Sequence, residues 1–416
     1  MSSQALLPGV QDVQKAYQGE THRLIPPAET IAQYREFMPA MGITRIANVT
    51  GLDRIGIPVS MACRPNSRSI SVSQGKGLTL QAAKASALME SIEGYHAEHI
   101  LLPLKLASAR EMRRAHCIAP LDRLPLIPGG LFHPDFRLLW IEGYDLIQQE
   151  SVWVPYELVH TDFVLPQPAG SGCFVGGSNG LASGNHILEA ISHALCELVE
   201  RHSTTLWRLG GNAQHHATRV ALDSIDDPGC LELLSKFERA AIDVAVWDVT
   251  SDVGIPAFAC TIIDNEEQAP HYLHANSGMG CHLTRHIALT RALSEAAQTR
   301  LTFISGARDD VTRRDYEIVR DRERLVAYRD WAAAQQPVAR FEDAPDYDHE
   351  TFSEDIGLIL NRLQAEGFDR AIVVNLTKAE FRIPVVRVIV PDLEAGYDDT
   401  SYTPGIKARA LLQKTV

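Results

Sequence analysis

The residues best placed to do chemistry recur in one pattern. It reads Ser86-Ala-Leu-Met-Glu90-Ser-Ile-Glu93, then His193-Ala-Leu-Cys-Glu197-Leu-Val-Glu200, then Arg291-Ala-Leu-Ser-Glu295-Ala-Ala-Gln298. At ~100° per residue, positions i, i+4 and i+7 share one face of a helix, so each copy aligns a leading polar residue with two acidic or amide groups. A single Glu pair at this spacing is most often a solvated stripe. Here the flanks are apolar: Ala82, Ala83, Ala85, Ala87, Leu88, Met89 and Ile92 surround the first pair, and Ile187, Leu188, Ile191, Ala194, Leu195, Leu198 and Val199 the second. Carboxylates on a mostly buried helix must be paired or must hold cations, because an isolated buried charge costs several kcal/mol. Glu stripes meeting across helices are therefore expected to form an oxygen-rich cage.

Oxygen ligands without a His/Cys cluster favour Mg²⁺ over zinc, and Mg²⁺ held by carboxylates typically shares its shell with nucleotide phosphates. ATP is the expected ligand. Gln74-Gly-Lys-Gly77 precedes the first stripe and Gly176-Gly-Ser-Asn-Gly180-Leu-Ala-Ser-Gly184-Asn185 the second. Glycine-rich turns at helix N-termini are ready anion sites, with Asn185 expected as an N-cap, although an ordinary tight turn has the same composition. Arg201 and Arg291 stand beside the carboxylates, as phosphate ligands or as ion-pair partners of Glu197 and Glu295. No G-x-x-x-x-G-K-[ST] motif and no protein-kinase signature is present, which excludes those two nucleotide folds.

The elements that must position these groups are long helices and short strands. Leu80 to His99, His186 to Leu209 and Arg285 to Ser305 read as helices. Val59 to Cys63, Ser69 to Ser73, Leu138 to Ile141, Ser151 to Val154, Ile242 to Val249, Ala257 to Ile263, Arg370 to Leu376 and Val385 to Val390 read as strands. The class is α/β (α+β). Thr351-Phe-Ser-Glu354 has capping-box spacing, Ile356, Leu360 and Leu363 follow at helical intervals, and Gly367 stands at the expected C-terminal cap. A strand-helix-strand element is expected there. The charged stretch from Arg308 to Glu350 reads as a solvated helix and linker.

The chain has 416 residues, 45% of them hydrophobic, enough for a large core and two or three domains of roughly 150 residues. A formal charge of -13 excludes general attraction to nucleic acid or anionic lipid. Seven dispersed cysteines without a C-x-x-C pair exclude a zinc ribbon and a thioredoxin-like site and point to a reducing, cytoplasmic setting. No 18-residue apolar run and no signal segment is present, so a membrane association is not expected. His96, His193 and His202 lie on the motif helices, and Cys173 and Cys281 near the motif loops; none is assigned a catalytic role.

Taken in order, Gly75 to Gly77, Ser86 to Glu93, Gly180 to Arg201 and Arg291 to Gln298 resemble the YcaO family. Thr50-Gly-Leu-Asp-Arg-Ile-Gly-Ile-Pro58, Gly306-Ala-Arg-Asp-Asp310 and Val390-Pro-Asp-Leu-Glu394 extend the resemblance. It implies a YcaO-type ATP-binding fold over residues 61–405, with 406–416 as a C-terminal tail; residues 1–60, mixing polar and proline-containing stretches, read as an N-terminal extension packed on it. By the same resemblance Glu90, Glu93, Glu197, Glu200 and Glu295 hold Mg²⁺. Lys76, Ser86, Asn185, Glu189, Arg201 and Arg291 contact the nucleotide, and Arg201 and Arg291 stabilise the transferring phosphoryl group. Some members carry Arg where this chain has Gly94.

Family chemistry starts when a nucleophile adds to a peptide amide carbonyl and the oxyanion takes the γ-phosphoryl of ATP. Sulfide then gives a thioamide, a substrate side chain an azoline, an amine an amidine. Azoline-forming members commonly end in Pro-x-Pro-x-Pro, whereas this chain ends Leu411-Leu-Gln-Lys-Thr-Val416. The expectation is thioamide formation with an external sulfur donor and a TfuA-type or other substrate-presenting partner. The alternatives are an azoline-forming cyclodehydratase of a ribosomally made peptide and an ATP-binding accessory protein for modification of a ribosomal protein. A homodimer is the default assembly for a soluble enzyme.

Overall fold

The computed structural model describes residues 6–264, 275–396 and 402–414. Its organising unit is a strand, a three-residue turn and a long helix, used three times. Strand Val72–Lys76 leads through residues 77–79 into helix Leu80–Glu98. Strand Leu181–Ser183 leads through 184–186 into Ile187–Leu209, and strand Asn276–Cys281 through 282–284 into Arg285–Ser305. We call these the first, second and third motif helices.

The first and third helices pack on their own strands because the contact faces are stripped of side chains. A Cβ on Gly75 would overlap the backbone of Ala83 and Ala87 in the first motif helix. Gly278 and Gly280 stand in the same relation to Ala288, Ala292 and Ala296 in the third. Gly184 meets Ala190 of the second, whose amide nitrogen would be 2.9 Å from an added Cβ. Glycine on the strand and alanine on the helix let the two backbones approach as no larger pair could.

Three antiparallel sheets carry the units. The first has the order Arg45–Asn48, Val59–Cys63, Val72–Lys76, with Ser60 opposite Gly75. The second runs Ile242–Asp248, Ala257–Asp264, Asn276–Cys281, with Cys260 between Val246 and Gly278. The third, of six strands, runs Leu104–Ser108, Arg137–Asp145, Ile372–Asn375, Val385–Ile389, Leu181–Ser183, with Glu150–Pro155 also paired to Arg137–Asp145. The second motif helix is the most deeply buried: Leu188, Ile191, Leu195 and Val199 pack with Ile356, Ile359 and Leu363. The class is mixed α/β, as expected.

All three expected helices and most expected strands are present, with differences. The first unit's strand runs Val72–Lys76 rather than Ser69 to Ser73, because Ser69 is drawn off to Glu98 by its amide and hydroxyl. Strands Arg45–Asn48, Leu104–Ser108, Leu181–Ser183 and Asn276–Cys281 are additional to the expected set. Helix Phe352–Ala365 has the capping box at Thr351 and Glu354, and Gly367 lies at φ +87. Two antiparallel strands follow this helix; it is not flanked by strands. The charged stretch forms two short helices, Arg313–Val319 and Arg322–Ala334. Among the described residues no helix is long and apolar enough to cross a membrane.

The segment before residue 45 clasps the units together. A two-stranded turn, Tyr17–Gln18 with His22–Arg23, lies where the three strand-to-helix turns converge. Glu20 accepts from Leu78 N and from Thr79 Oγ1 at 3.0 Å, at the first turn. Leu24 N donates to Glu189 at 2.8 Å at the second, and His22 packs edge-on against His282 at 5.0 Å at the third. Lys15 completes the clasp through a buried pair with Asp355 at 3.1 Å.

Candidate nucleotide and metal site

The polar stripes of the three helices face one another as a ring. The first carboxylate of each stripe bonds its own unit's strand or the turn before it. Glu295 accepts from Met279 N at 3.2 Å, Glu90 from the backbone of Gln74 and Glu197 from that of Gly180. The second group reaches the next unit. Glu93 accepts from Ser183 N at 2.8 Å and Ser183 Oγ at 2.7 Å, and Glu200 from Cys281 N at 2.9 Å. Gln298 closes the circle by donating to Gln74 O at 3.0 Å. Units one, two and three are thus linked head to tail.

Lys76, leaving the end of the first strand, pairs with Glu295 across the ring. Arg291 Nη1 lies 3.3 Å from His193 Nδ1, joining the leading residues of the second and third stripes. Burial and the neighbouring Arg291 push His193 well below its ordinary range, so it is neutral and accepts from the guanidinium. Glu90 is open on its surface yet enclosed by protein on every side, the condition of a residue in the wall of a recess. Glu93, Glu197, Glu295, Lys76 and Arg291 are half-buried in the same wall.

Burial dominates the charge state of the carboxylates. Burial pushes Glu90 up to about 7 against the pull of Arg308 and Lys76, and Glu93 up to about 8. Glu197 is also raised by burial, and Glu200 is pushed up to about 7 by burial and by Glu295. Burial acts on Glu295 too, but Lys76 and Arg201 outweigh it and hold its carboxyl below the usual value. Such a set of hard oxygen donors suits Mg²⁺. Buried polar atoms without partners line the same region: Arg291 Nε, Asn185 Oδ1, Gln298 Oε1 and Arg387 Nε and Nη1. Donors and acceptors left unmade at this density fit a polar, charged ligand.

The expected tight cage is not what the helices build. Among the described residues no three His, Cys, Asp or Glu side chains converge closely enough to hold a metal ion. Backbone amides and Lys76 hold the carboxylates apart. Ser86 stands one turn before Glu90, half-buried on the same helix. Asn185 is not the N-cap: that place belongs to His186, whose ring accepts from Leu188 N, while Asn185 Nδ2 turns to Glu189 at 3.4 Å. Glu189 is only 2% exposed, bonded to Leu24 N and 3.5 Å from Arg23, so it faces the clasp.

The glycine loops also differ from expectation. Gly75 serves helix-strand packing, and the N–H of Leu78 is taken by Glu20, whose Oε2 would be 3.1 Å from a Cβ on Gly77. A carboxylate thus stands at the turn into the first motif helix, where the helix dipole favours negative charge. Arg64 fills the space beside Gly94, with Nη2 2.9 Å from where a Cβ would stand, and pairs with Glu98. Two cations escaped the sequence reading of the site. Arg387, 4% exposed, lies beside Glu197 and donates to Gly177 O at 2.8 Å; its signal was a lone charge in Val385-Val-Arg-Val-Ile389. Arg308 approaches Glu90 from beyond the third motif helix.

A mixed α/β fold presenting a cleft of carboxylates, lysine and arginines defines a protein that handles a cation-bound polyanion. The chain belongs to the YcaO family: residues 74–394 match the model of the YcaO cyclodehydratase, ATP- and Mg²⁺-binding. ATP and Mg²⁺ are accordingly its cofactors. An uncharacterized protein of the tfuA 3′ region of Rhizobium leguminosarum bv. trifolii is 36% identical over 93% of this chain and 92% of its own. YcaO from Methanopyrus kandleri bound with AMPPCP and Mg²⁺ superposes with a TM-score of 0.72 at 22% identity, over 94% of this chain and 99% of that one. A heterocyclase in complex with substrate and cofactor superposes with a TM-score of 0.75 at 22% identity. That match covers 93% of this chain and 54% of the heterocyclase, so this chain spans about half its length. The two structural likenesses establish the shared fold.

Proposed function

We propose that the chain uses ATP and Mg²⁺ to phosphorylate a backbone amide oxygen of a peptide or protein, and that an external sulfur donor then makes the amide a thioamide. The observation that carries this reading is the ring, in which Glu90, Glu93, Glu197, Glu200 and Glu295 face Lys76, Arg201 and Arg291 in one cleft. The five carboxylates would hold Mg²⁺, which when bound supplies charge neutralisation at the phosphates. Lys76 and Ser86 would contact the nucleotide, with Asn185 and Glu189 in the wall beside the clasp. Arg201 and Arg291 would meet the charge that develops on the transferred group. Neutral His193 keeps Arg291 turned into the cleft.

The sulfur nucleophile adds to the amide carbon, and its oxyanion takes the γ-phosphoryl group as ADP departs. Collapse to C=S expels phosphate, so sulfur replaces oxygen. The relative in the tfuA 3′ region supports this outcome and a TfuA-type partner. The family's description as a cyclodehydratase favours a second reading, azoline formation by a substrate Cys, Ser or Thr.

Calorimetry and phosphate release test the cleft. Glu93→Ala and Glu200→Ala should each weaken Mg·ATP binding tenfold or more while leaving thermal unfolding cooperative. Wild-type affinity in both variants would sink the reading. Product mass separates the two chemistries, a gain of about 16 Da for thioamide against a loss of about 18 Da for azoline.

A further inference from the structure

The loop that precedes the second unit holds three large apolar side chains in water. Phe163, Val164 and Leu165 are 47%, 52% and 80% exposed. Consecutive exposed apolar residues are unfavourable in solution and mark places where something binds. The backbone beneath them is pinned. Phe163 N donates to Arg68 O at 3.0 Å, Val164 N to Asp162 Oδ1 at 3.1 Å, and Arg68 pairs with Asp162 at 2.7 Å. Glu157 gathers the far arm of the loop, accepting from Cys173 N at 3.1 Å and Phe174 N at 3.0 Å. The apolar tips are presented by an ordered support.

That support runs into the cleft. A Cβ on Gly176 would lie 3.5 Å from the Phe163 ring. One residue on, the Gly177 carbonyl accepts from Arg387, and Gly180 bonds Glu197 through its backbone. On the other side, the turn that holds Phe163 leads to Ser71, whose N–H donates to Asp309 at 3.3 Å, next to Arg308 and Glu90. The apolar residues therefore stand at the Glu90 and Glu197 end of the ring, opposite the clasp at the helix N-termini.

We propose that Phe163, Val164 and Leu165 form the ledge on which the peptide substrate docks, and that it takes an apolar side chain next to the amide that reacts. This rests on the reading of the cleft as the amide-phosphorylating site. Even with Leu131, 61% exposed and bonded to Gly172 on the far arm of the loop, the patch is small beside the roughly 800 Å² per partner of a standard protein interface, which disfavours a second copy or a globular partner. It matches one anchoring residue of an extended chain. The rim is charge-neutral because Arg68 and Asp162 satisfy each other, so the anchor is apolar rather than charged.

The test uses the full chain saturated with Mg²⁺ and a non-hydrolysable ATP analogue. Two fluorescently labelled pentapeptides, Gly-Leu-Gly-Phe-Gly and Gly-Ser-Gly-Ser-Gly, are titrated by anisotropy. The apolar peptide should bind the wild type at least fivefold more tightly. The Phe163→Ser/Leu165→Ser variant should lose that preference while keeping nucleotide affinity and thermal midpoint. Equal binding of both peptides by the wild type, or an unchanged preference in the variant, would overturn the ledge while leaving the cleft intact. A dimer by sedimentation that dissociates in the variant would also overturn it, reassigning the patch to self-association. Failure of the wild type to bind the nucleotide would instead fell the cleft reading and the ledge with it.

Discussion

Gln298 stands where the other two stripes carry Glu because its bond runs the opposite way. Glu93 and Glu200 accept from N–H groups of the neighbouring unit, whereas Gln298 donates to the carbonyl of Gln74. A carboxylate there would face a carbonyl oxygen with no proton between them. Gln298→Glu should therefore cost about 1–3 kcal/mol in urea unfolding, the usual penalty for an unmet buried acceptor. Stability equal to wild type would show that the closing bond of the ring contributes nothing. The repeat was legible because helical spacing alone aligns Ser86, Glu90 and Glu93. Which partner each group takes was not, since Ser183, Cys281 and Gln74 lie far away in the chain and meet the stripes only through folding.

At the scale of elements, the strand-turn-helix unit explains what periodicity could and could not show. The three motif helices declare themselves by long apolar faces. Their strands Leu181–Ser183 and Asn276–Cys281 do not, the first because it has only three residues and the second because Asn and two Gly interrupt it, residues poor in strand propensity. Those glycines are there for the helix behind them. Gly75→Ala and Gly278→Ala should each lower stability by about 2 kcal/mol or more, because a methyl must displace helix backbone. Gly357→Ala is the contrast: it lies within helix Phe352–Ala365 with nothing within 4 Å of its would-be Cβ. It should stabilise by about 0.5–1 kcal/mol through helix propensity. Thermal unfolding of the three variants checks both signs; a destabilised Gly357→Ala would mean that space around the added methyl is less free than the geometry indicates.

At the scale of the molecule, the N-terminal clasp ties the ring to helix Phe352–Ala365 through Lys15, whose side chain is 1% exposed, and Asp355, 2% exposed. Lys15→Met leaves Asp355 with His349, at 3.0 Å, as its remaining side-chain partner, so it should cost about 3 kcal/mol, the low end for breaking a buried pair, and Lys15→Met/Asp355→Leu should recover part of that. The same clasp holds a histidine whose contribution to stability weakens in acid. Lys15 Nζ donates to His22 Nδ1 at 3.2 Å, and burial followed by that lysine lowers His22 to about 4. His286 and Arg23 act in the same direction, with Asp348 opposing them. His96, buried with Nδ1 against the Ile92 carbonyl at 2.8 Å, is likewise lowered to about 4 by burial. In the unfolded chain both titrate near 6.5, so between about pH 6.5 and 4 the unfolded state binds more protons. Each histidine then contributes about 3 kcal/mol that is fully present above pH 6.5 and lost as pH falls through 4. Glu90, Glu93 and Glu200, raised above the ordinary carboxylate value, take up protons in the folded state over the same range and oppose the histidines. The His22 contribution is therefore read by difference: between pH 7 and pH 5 the urea midpoint of His22→Asn should fall less, or rise more, than that of the wild type. An unchanged slope in the variant would leave His22 as packing alone.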